Sequence, residues 1–210
     1  MSERDLVVVT AGLSQPSSTR LLADRLTDAT ERSLREAGLE PATEVVELRE
    51  HAQDLVNHLL TGFPSEGLQA TIDRVVSADG LIATTPIFSA SYSGLFKLFF
   101  DVVEHEALAG MPVLIGATGG TARHSLALEH TVRPLFTYLG GSVIRTAVYA
   151  ASEDWGSAGI PADAGLADRI ERAGAELAAA MGRAPREAAA DPFADPIPFE
   201  QLLGRSGDPA

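Results

Sequence analysis

The chain has 210 residues, a net charge of −13 and no cysteine, and 45% of its residues are hydrophobic. These values predict one globular domain with a full core, and they exclude disulfides, thiolate catalysis and Cys-ligated metal centres. The acidic balance excludes the basic surface that nucleic-acid binding needs, and no apolar run approaches the ~18 residues of a membrane span. Because no signal peptide precedes the first strand, we expect a cytoplasmic protein that binds neither nucleic acid nor membrane.

The first predicted strand and helix enclose a loop rich in hydroxyl groups. The apolar and β-branched residues 6–10 predict a strand buried on both faces, and the helical pattern that follows ends at Gly38. The hydroxyl groups between them belong to Ser14, Ser17, Ser18 and Thr19. A helix start offers unpaired N–H groups and a partial positive charge, so this loop is a candidate phosphate site, with Arg20 close by. Alternatively, Ser17 or Ser18 only caps the helix.

A second loop combines aromatic rings with hydroxyl groups. It follows a predicted strand at 43–48, a short helix around 54–60, a helix at 68–76 and a strand at 81–85. The loop begins at Pro86, and its polar and aromatic side chains include Phe88, Ser89, Ser91, Tyr92 and Ser93. This mixture suits a planar heterocycle with polar edges. The alternative is an ordinary turn whose aromatic rings face the core.

A third loop is rich in glycine and follows a fourth apolar strand at 111–118. It contains Gly119, Gly120 and Thr121, which permit close approach of the backbone to a ligand. The remaining predicted elements are a helix at 125–139, a fifth strand at 142–150 and a last helix at 166–181. The helix at 94–104 is too apolar for a single buried stripe, and we interpret it as partly core and partly subunit interface.

Strands that alternate with helices predict an α/β fold, a three-layer sandwich around a parallel five-stranded sheet. In the flavodoxin-like strand order 2-1-3-4-5, the loops after strands one, three and four meet at one crevice. We expect this domain to span residues 1–183. Five of the chain's 12 prolines fall in the remaining segment, 184–210, which we interpret as a Pro-rich tail that is either disordered or docked. We favour docking because the tail carries several apolar side chains.

With these loops, the chain resembles the NADPH-dependent FMN reductase family of flavodoxin-like proteins. It is most similar to the branch that supplies reduced flavin to two-component monooxygenases. The loop at 12–19 resembles the family's phosphate loop, the loop at 85–97 its isoalloxazine loop, and the loop at 117–121 its flavin-edge loop. Gln15 and Pro16 stand where many relatives have an arginine, and Arg20 is the nearest replacement.

The resemblance implies a cytoplasmic homodimer or homotetramer in which NAD(P)H, either NADPH or NADH, transfers hydride to FMN. It implies the following FMN-binding residues: Ser14, Pro16, Ser17, Ser18, Thr19, Pro86, Ile87, Phe88, Ser89, Tyr92, Thr118, Gly119, Gly120 and Thr121. Arg123 and His124 could meet a phosphate of the nicotinamide nucleotide. No catalytic side chain is assigned, because the cofactors carry the chemistry. No metal is expected either, because the histidines lack metal-ligand spacing.

Two other functions remain open at this point. The chain could be an enzyme that passes flavin electrons to a quinone, an azo compound or a metal oxyanion. It could instead be a non-enzymatic, flavodoxin-like electron carrier.

Overall fold

The computed structural model describes residues 2–156 and 164–183. Its strands are β1 (Glu3–Thr10), β2 (Glu40–Glu47), β3 (Gly80–Phe88), β4 (Ser91–Tyr92), β5 (Pro112–Gly119), β6 (Ser142–Val143) and β7 (Val148–Ala151). Its α-helices are α1 (Ser18–Glu36), α2 (Ala52–Thr61), α3 (Glu66–Ser77), α4 (Gly94–Asp101), α5 (Arg133–Tyr138) and α6 (Ala164–Met181). Short 3-10 turns span Leu48–Glu50, Ala122–His124 and Ser152–Trp155. Within these ranges, no helix is long and apolar enough to cross a membrane.

The sheet has the predicted flavodoxin-like order. β2, β1, β3 and β5 are hydrogen-bonded side by side in parallel, and both β6 and β7 pair in parallel with β5. β6 and β7 together form the predicted fifth strand, so the order 2-1-3-4-5 is confirmed with one interruption. The short β4 is an addition, which turns back antiparallel onto the end of β3.

The interruption between β6 and β7 has a structural cause. The backbone N–H of Thr146 donates to Glu176 of α6 at 2.8 Å, and the Thr146 hydroxyl donates to the same carboxylate at 2.8 Å. Arg133 donates to the carbonyl oxygens of Ile144 and Arg145 at 2.9 and 3.2 Å. These groups are therefore satisfied by helices rather than by the neighbouring strand, and the chain leaves the sheet for a few residues.

The core lies on both faces of the sheet, as a three-layer sandwich requires. Side chains alternate along β1, so Val7 and Val9 belong to one buried cluster while Leu6 and Val8 belong to the other. Helices α1 and α6 cover the second cluster, and α3 and α4 cover the first. The predicted α/β fold is thus confirmed. The predicted tail, 184–210, lies outside the described residues.

Two predicted helices differ in detail from the structure. Helix α4 ends at Asp101 rather than at 104, and its phenylalanines Phe96, Phe99 and Phe100 are buried in the core. The predicted helix at 125–139 contains a π-helical turn, Leu128–Val132, before α5. Pro134 lies just after this turn and has no N–H to donate to a preceding carbonyl, which favours a break in the regular α-helical pattern there.

Candidate functional site

A cleft of about 390 Å³ lies at the carboxyl-end edge of the sheet, where the three predicted loops meet. Ten of the fourteen predicted FMN-binding residues line it: Ser14, Ser17, Ser18, Thr19, Pro86, Ile87, Phe88, Thr118, Gly119 and Gly120. The convergence follows from the strand order, because loops after β1, β3 and β5 leave adjacent strands at the same edge.

The first loop enters α1 through a serine cap. Ser17 has extended backbone angles, and its Oγ accepts a hydrogen bond from the backbone N–H of Arg20 at 3.2 Å. A Cβ on Gly12 would lie 2.1 Å from this Oγ and 3.1 Å from the Ser17 Cβ, so a larger residue there would displace the capping hydroxyl. Ser17 therefore both caps the helix and lines the cleft, which joins the two interpretations that the sequence left open for it.

A buried hydrogen bond connects the first loop with the third. The hydroxyl oxygens of Thr19 and Thr118 are 2.7 Å apart, and both side chains are buried. One hydroxyl donates to the other where both side chains are buried, so the pair fixes the separation of the two loops. One hydrogen bond thereby connects the segment after β1 with the segment at the end of β5.

The second loop is a tight hairpin between β3 and β4. Ser89 and Ala90 form its tip with φ of 49° and 68°. These values lie in the left-handed backbone region that residues other than glycine rarely adopt. The turn leaves Phe88 49% exposed at the cleft wall. The base of the loop is fixed by a hydrogen bond from the Ser93 backbone N–H to Thr85 Oγ1 at 3.0 Å.

The third loop is held from behind by a tyrosine. The Tyr149 hydroxyl donates to the carbonyl oxygen of Thr121 at 2.8 Å. Burial, together with the nearby carboxylate of Asp154, raises the pKa of Tyr149, which further favours the protonated hydroxyl that this hydrogen bond needs. A Cβ on Gly119 would lie 2.1 Å from the same hydroxyl oxygen, which explains the glycine at this cleft-lining position.

Four predicted residues do not line this cleft. Pro16 lines a neighbouring cleft, which shares Ser14, Ser17 and Ser18 with the main cleft. Ser89 occupies the hairpin tip, and Thr121 is exposed at the edge of its loop. Tyr92 pairs with Ile87 across the hairpin and packs against the core.

The cleft lining carries no formal charge among the described residues. Arg20 points into the neighbouring cleft, where it pairs with Asp24 at 2.7 Å and with Glu47 at 2.5 Å. Hydrogen bonding to Asp24 and the charge of Glu47 raise the pKa of Arg20. The lining of the main cleft thus offers an anion neutral hydroxyl and N–H donors, and the charge of Arg20 beyond the shared serines is already paired with carboxylates. Arg123 and His124 are exposed on the 3-10 turn that follows the third loop.

Sequence reasoning missed two residues of the lining, Leu13 and Ser152. Leu13 lies inside the predicted phosphate loop, and its apolar side chain gave no signal of binding although it is 53% exposed. Ser152 directly follows β7, and its position after the strand next to β5 is the signal that could have indicated it. Within the described ranges, no group of three acidic or histidine side chains could hold a metal ion.

The cleft fits a planar ring that carries a phosphate. Hydroxyl groups and the start of α1 stand at one end, which suits an anion. The apolar wall of Pro86, Ile87 and Phe88 faces the backbone of Gly119 and Gly120, where the absence of side chains leaves room for a flat ring. This donor set matches a flavin mononucleotide.

Comparison with known proteins shows which family this chain resembles in sequence. The NADPH-dependent FMN reductase family matches residues 5–156. An FMN reductase (NADPH) from Pseudomonas aeruginosa is 37% identical over 151 residues, which cover 71% of this chain and 78% of that protein. The NADH-dependent FMN reductase SfnE from Pseudomonas putida is 35% identical over 169 residues, or 80% of this chain and 88% of that protein.

A solved structure extends the match to three dimensions. An oxidoreductase from Corynebacterium diphtheriae superposes with a TM-score of 0.82 and 41% identity, covering 86% of this chain and 98% of that one. The family match includes all three loops of the cleft as well as the strands that carry them. This protein therefore belongs to the NADPH-dependent FMN reductase family, and it is an NAD(P)H:FMN oxidoreductase of flavodoxin-like fold.

Proposed function

We propose that this enzyme reduces FMN and releases the reduced flavin to a partner monooxygenase. The observation that carries the proposal is the convergence of three loops on one uncharged cleft. Bound FMN supplies a ring that accepts hydride from NAD(P)H. The protein's part is to bind and orient both nucleotides.

Each loop has its own role in this proposal. Ser14, Ser17 and Ser18 donate to the phosphate, helped by the N–H groups at the start of α1. The hairpin wall ending in Phe88 and the backbone at Gly119 hold the two sides of the ring. No side chain needs to move a proton to the reacting atoms, so binding and orientation account for the protein's contribution.

Exchange of FMN, rather than permanent binding, is supported by the charges around the cleft. A phosphate held by a bidentate arginine gains strong charge-assisted hydrogen bonds. Here the nearby Arg20 is engaged by Asp24 and Glu47. Neutral donors bind a phosphate less tightly, which suits an enzyme that must release its reduced product.

Self-association of the chain is part of the same proposal. Four large apolar side chains are exposed at helical spacing on α2 and just after its end: Val56, Leu59, Leu60 and Phe63. Leu60 and Phe63 are 79% and 78% exposed. An exposed apolar stripe of this kind supports a homodimer or homotetramer.

Steady-state oxidation of NADPH and NADH, with and without added FMN, tests the proposal. We expect saturable dependence on FMN, and the rate ratio of the two donors gives the preferred nucleotide. No oxidation under any condition would overturn the proposed activity. Oxidation that needs only an added quinone would favour an acceptor reductase instead.

Two helix-capping serines provide a matched pair of variants for the same assay. Ser17 and Ser65 each accept a hydrogen bond at 3.2 Å from the backbone N–H three residues later, but only Ser17 lines the cleft. Ser17→Ala and Ser65→Ala should each destabilise the fold by about 1 kcal/mol. Only Ser17→Ala should also raise the KM for FMN, by roughly fivefold or more on the scale of a hydrogen bond to a charged group.

A further inference from the structure

An arginine that lines the neighbouring cleft contacts the phosphate loop. Arg49 lies in the 3-10 turn directly after β2, and its guanidinium pairs with the Glu47 carboxylate. With the Gln15 amide oxygen turned toward it, Arg49 donates to that oxygen through Nη1 at 2.9 Å and Nη2 at 2.7 Å. Nη1 also lies 3.5 Å from the carbonyl oxygen of Ser14.

The loop segment that Arg49 contacts has little other support. Ser14, Gln15 and Pro16 are exposed. Within residues 2–156 and 164–183, we find no hydrogen bond to these three residues other than those from Arg49. The cap at Ser17 and the buried Thr19 begin only after this segment. The position of the Ser14 hydroxyl at the cleft therefore depends on Arg49.

Arg49 does not line the cleft itself. It lines the neighbouring cleft of about 680 Å³, together with Arg20 and Glu47. Glu47 pairs with both guanidiniums, so the charge of Arg49 is compensated before any ligand arrives. With its charge paired and its Nη atoms directed at Gln15 and Ser14, Arg49 is positioned to hold the loop.

We propose that Arg49 is a positioning residue for FMN, which orders the loop at Ser14 and Gln15 so that its donors meet the phosphate. The proposal rests on the proposed function, because it assumes that the phosphate binds at this loop. A loop that is fixed before binding loses less entropy when the ligand arrives. Loss of Arg49 should therefore weaken recognition of the phosphate and leave contacts to the ring unchanged.

Comparison of FMN with riboflavin isolates the phosphate, because riboflavin has the same ring and lacks that group. Dissociation constants of both flavins are measured by fluorescence titration for the full chain and its variants. Arg49→Ala should weaken FMN binding about tenfold and riboflavin binding by less than about twofold, on the scale of one hydrogen bond to a charged group. Gln15→Ala, an exposed and milder change, should shift FMN affinity in the same direction by a smaller factor.

Arg74→Ala is the matched control. Arg74 also bridges two carboxylates, Asp5 at 3.2 Å and Glu44 at 2.9 Å, but at the start of β1 and the middle of β2, away from the phosphate loop. Its removal should leave the ratio of FMN to riboflavin affinity unchanged.

Three results would count against the proposal. An unchanged ratio in Arg49→Ala overturns it, and if that variant does not fold, an unchanged ratio in Gln15→Ala does so. If both flavins are weakened equally, the ratio is likewise unchanged, and Arg49 then has a general structural role. Wild-type protein that binds FMN no better than riboflavin overturns the phosphate-loop assignment of the proposed function itself, and this inference with it.

Discussion

The close approach of Tyr149 to Gly119 explains why position 119 of the cleft is a glycine. A Cβ at position 119 would meet the tyrosine hydroxyl oxygen at 2.1 Å and its ring carbon Cζ at 3.1 Å. Gly119→Ala should therefore force the third loop and Tyr149 apart and lower the free energy of unfolding by about 1–3 kcal/mol. Urea-induced unfolding measures this loss, and flavin titration should show weaker FMN binding in the same variant.

A Tyr149→Phe background separates the steric clash with the tyrosine hydroxyl from the other effects of Gly119→Ala. The change removes the hydroxyl that a new Cβ would strike, at the cost of its hydrogen bond to the Thr121 carbonyl. In the Tyr149→Phe background, Gly119→Ala should thus be less destabilising than in the wild type, with a coupling of about 0.5–2 kcal/mol. Strictly additive effects of the two substitutions would contradict the steric explanation.

The sequence predicted which residues carry functional groups better than it predicted which residues those groups contact. The hydroxyl groups of Ser14, Ser17 and Ser18 could be placed at a helix start because their loop follows an apolar strand. The engagement of Arg20 by Glu47 could not be predicted, because nothing in the local pattern indicates that the end of β2 lies beside the start of α1. That contact is created only when the strands pair.

Among the elements, helices α1 and α6 approach each other closely at Gly174. A Cβ on Gly174 of α6 would lie 2.7 Å from the backbone carbon and from the Cβ of Ala29, and 2.8 Å from the backbone nitrogen of Thr30. Backbone atoms cannot move aside as a side chain can. Gly174→Ala should therefore separate the helices and destabilise the fold by about 1–3 kcal/mol, despite the better helix propensity of alanine.

Gly67 of α3 provides the control for this prediction. Apart from its chain neighbours and the backbone of its own helix, no atom of the described residues lies within 4 Å of the place where its Cβ would be. Gly67→Ala should stabilise the fold by up to about 1 kcal/mol through helix propensity alone. Thermal unfolding of both variants tests the pair, and a Gly174→Ala protein as stable as Gly67→Ala would show that α1 and α6 can repack freely.

The sequence predicted the positions of helices and strands well where apolar residues recur at regular spacing. The pattern of 6–10 predicted β1, and the apolar spacing of 68–76 predicted α3 to within two residues at either end. The run at 142–150 also predicted a strand, but its middle is diverted by Glu176 of α6 through Thr146. A long-range polar contact of this kind has no local signature, so the division into β6 and β7 was not predictable.

For the whole molecule, strand order converts three separate loops into one site. The loops at 12–19, 85–97 and 117–121 are distant in sequence, yet each follows a strand that neighbours the next in the sheet. Alternating strands and helices predicted a parallel sheet, and the flavodoxin-like resemblance implied its order 2-1-3-4-5, so most of the cleft was predictable too. The hairpin that turns Tyr92 back onto the core was not, because its reversal depends on positive φ at Ser89 and Ala90, which are not glycine.

A cleft assembled from three crossovers exists only in the folded chain, so its ligand should stabilise the whole molecule. A ligand that binds only the native state stabilises it by about 2.7 kcal/mol at a hundredfold excess over its Kd. For a domain of this size that corresponds to a rise in Tm of roughly 5–10 °C. We expect FMN to produce this shift in scanning calorimetry, and riboflavin at the same concentration to produce a smaller one because it leaves the hydroxyl groups at the start of α1 unused. A Tm that does not respond to FMN, or that responds equally to both flavins, would contradict a site whose stability depends on the phosphate end of the cleft.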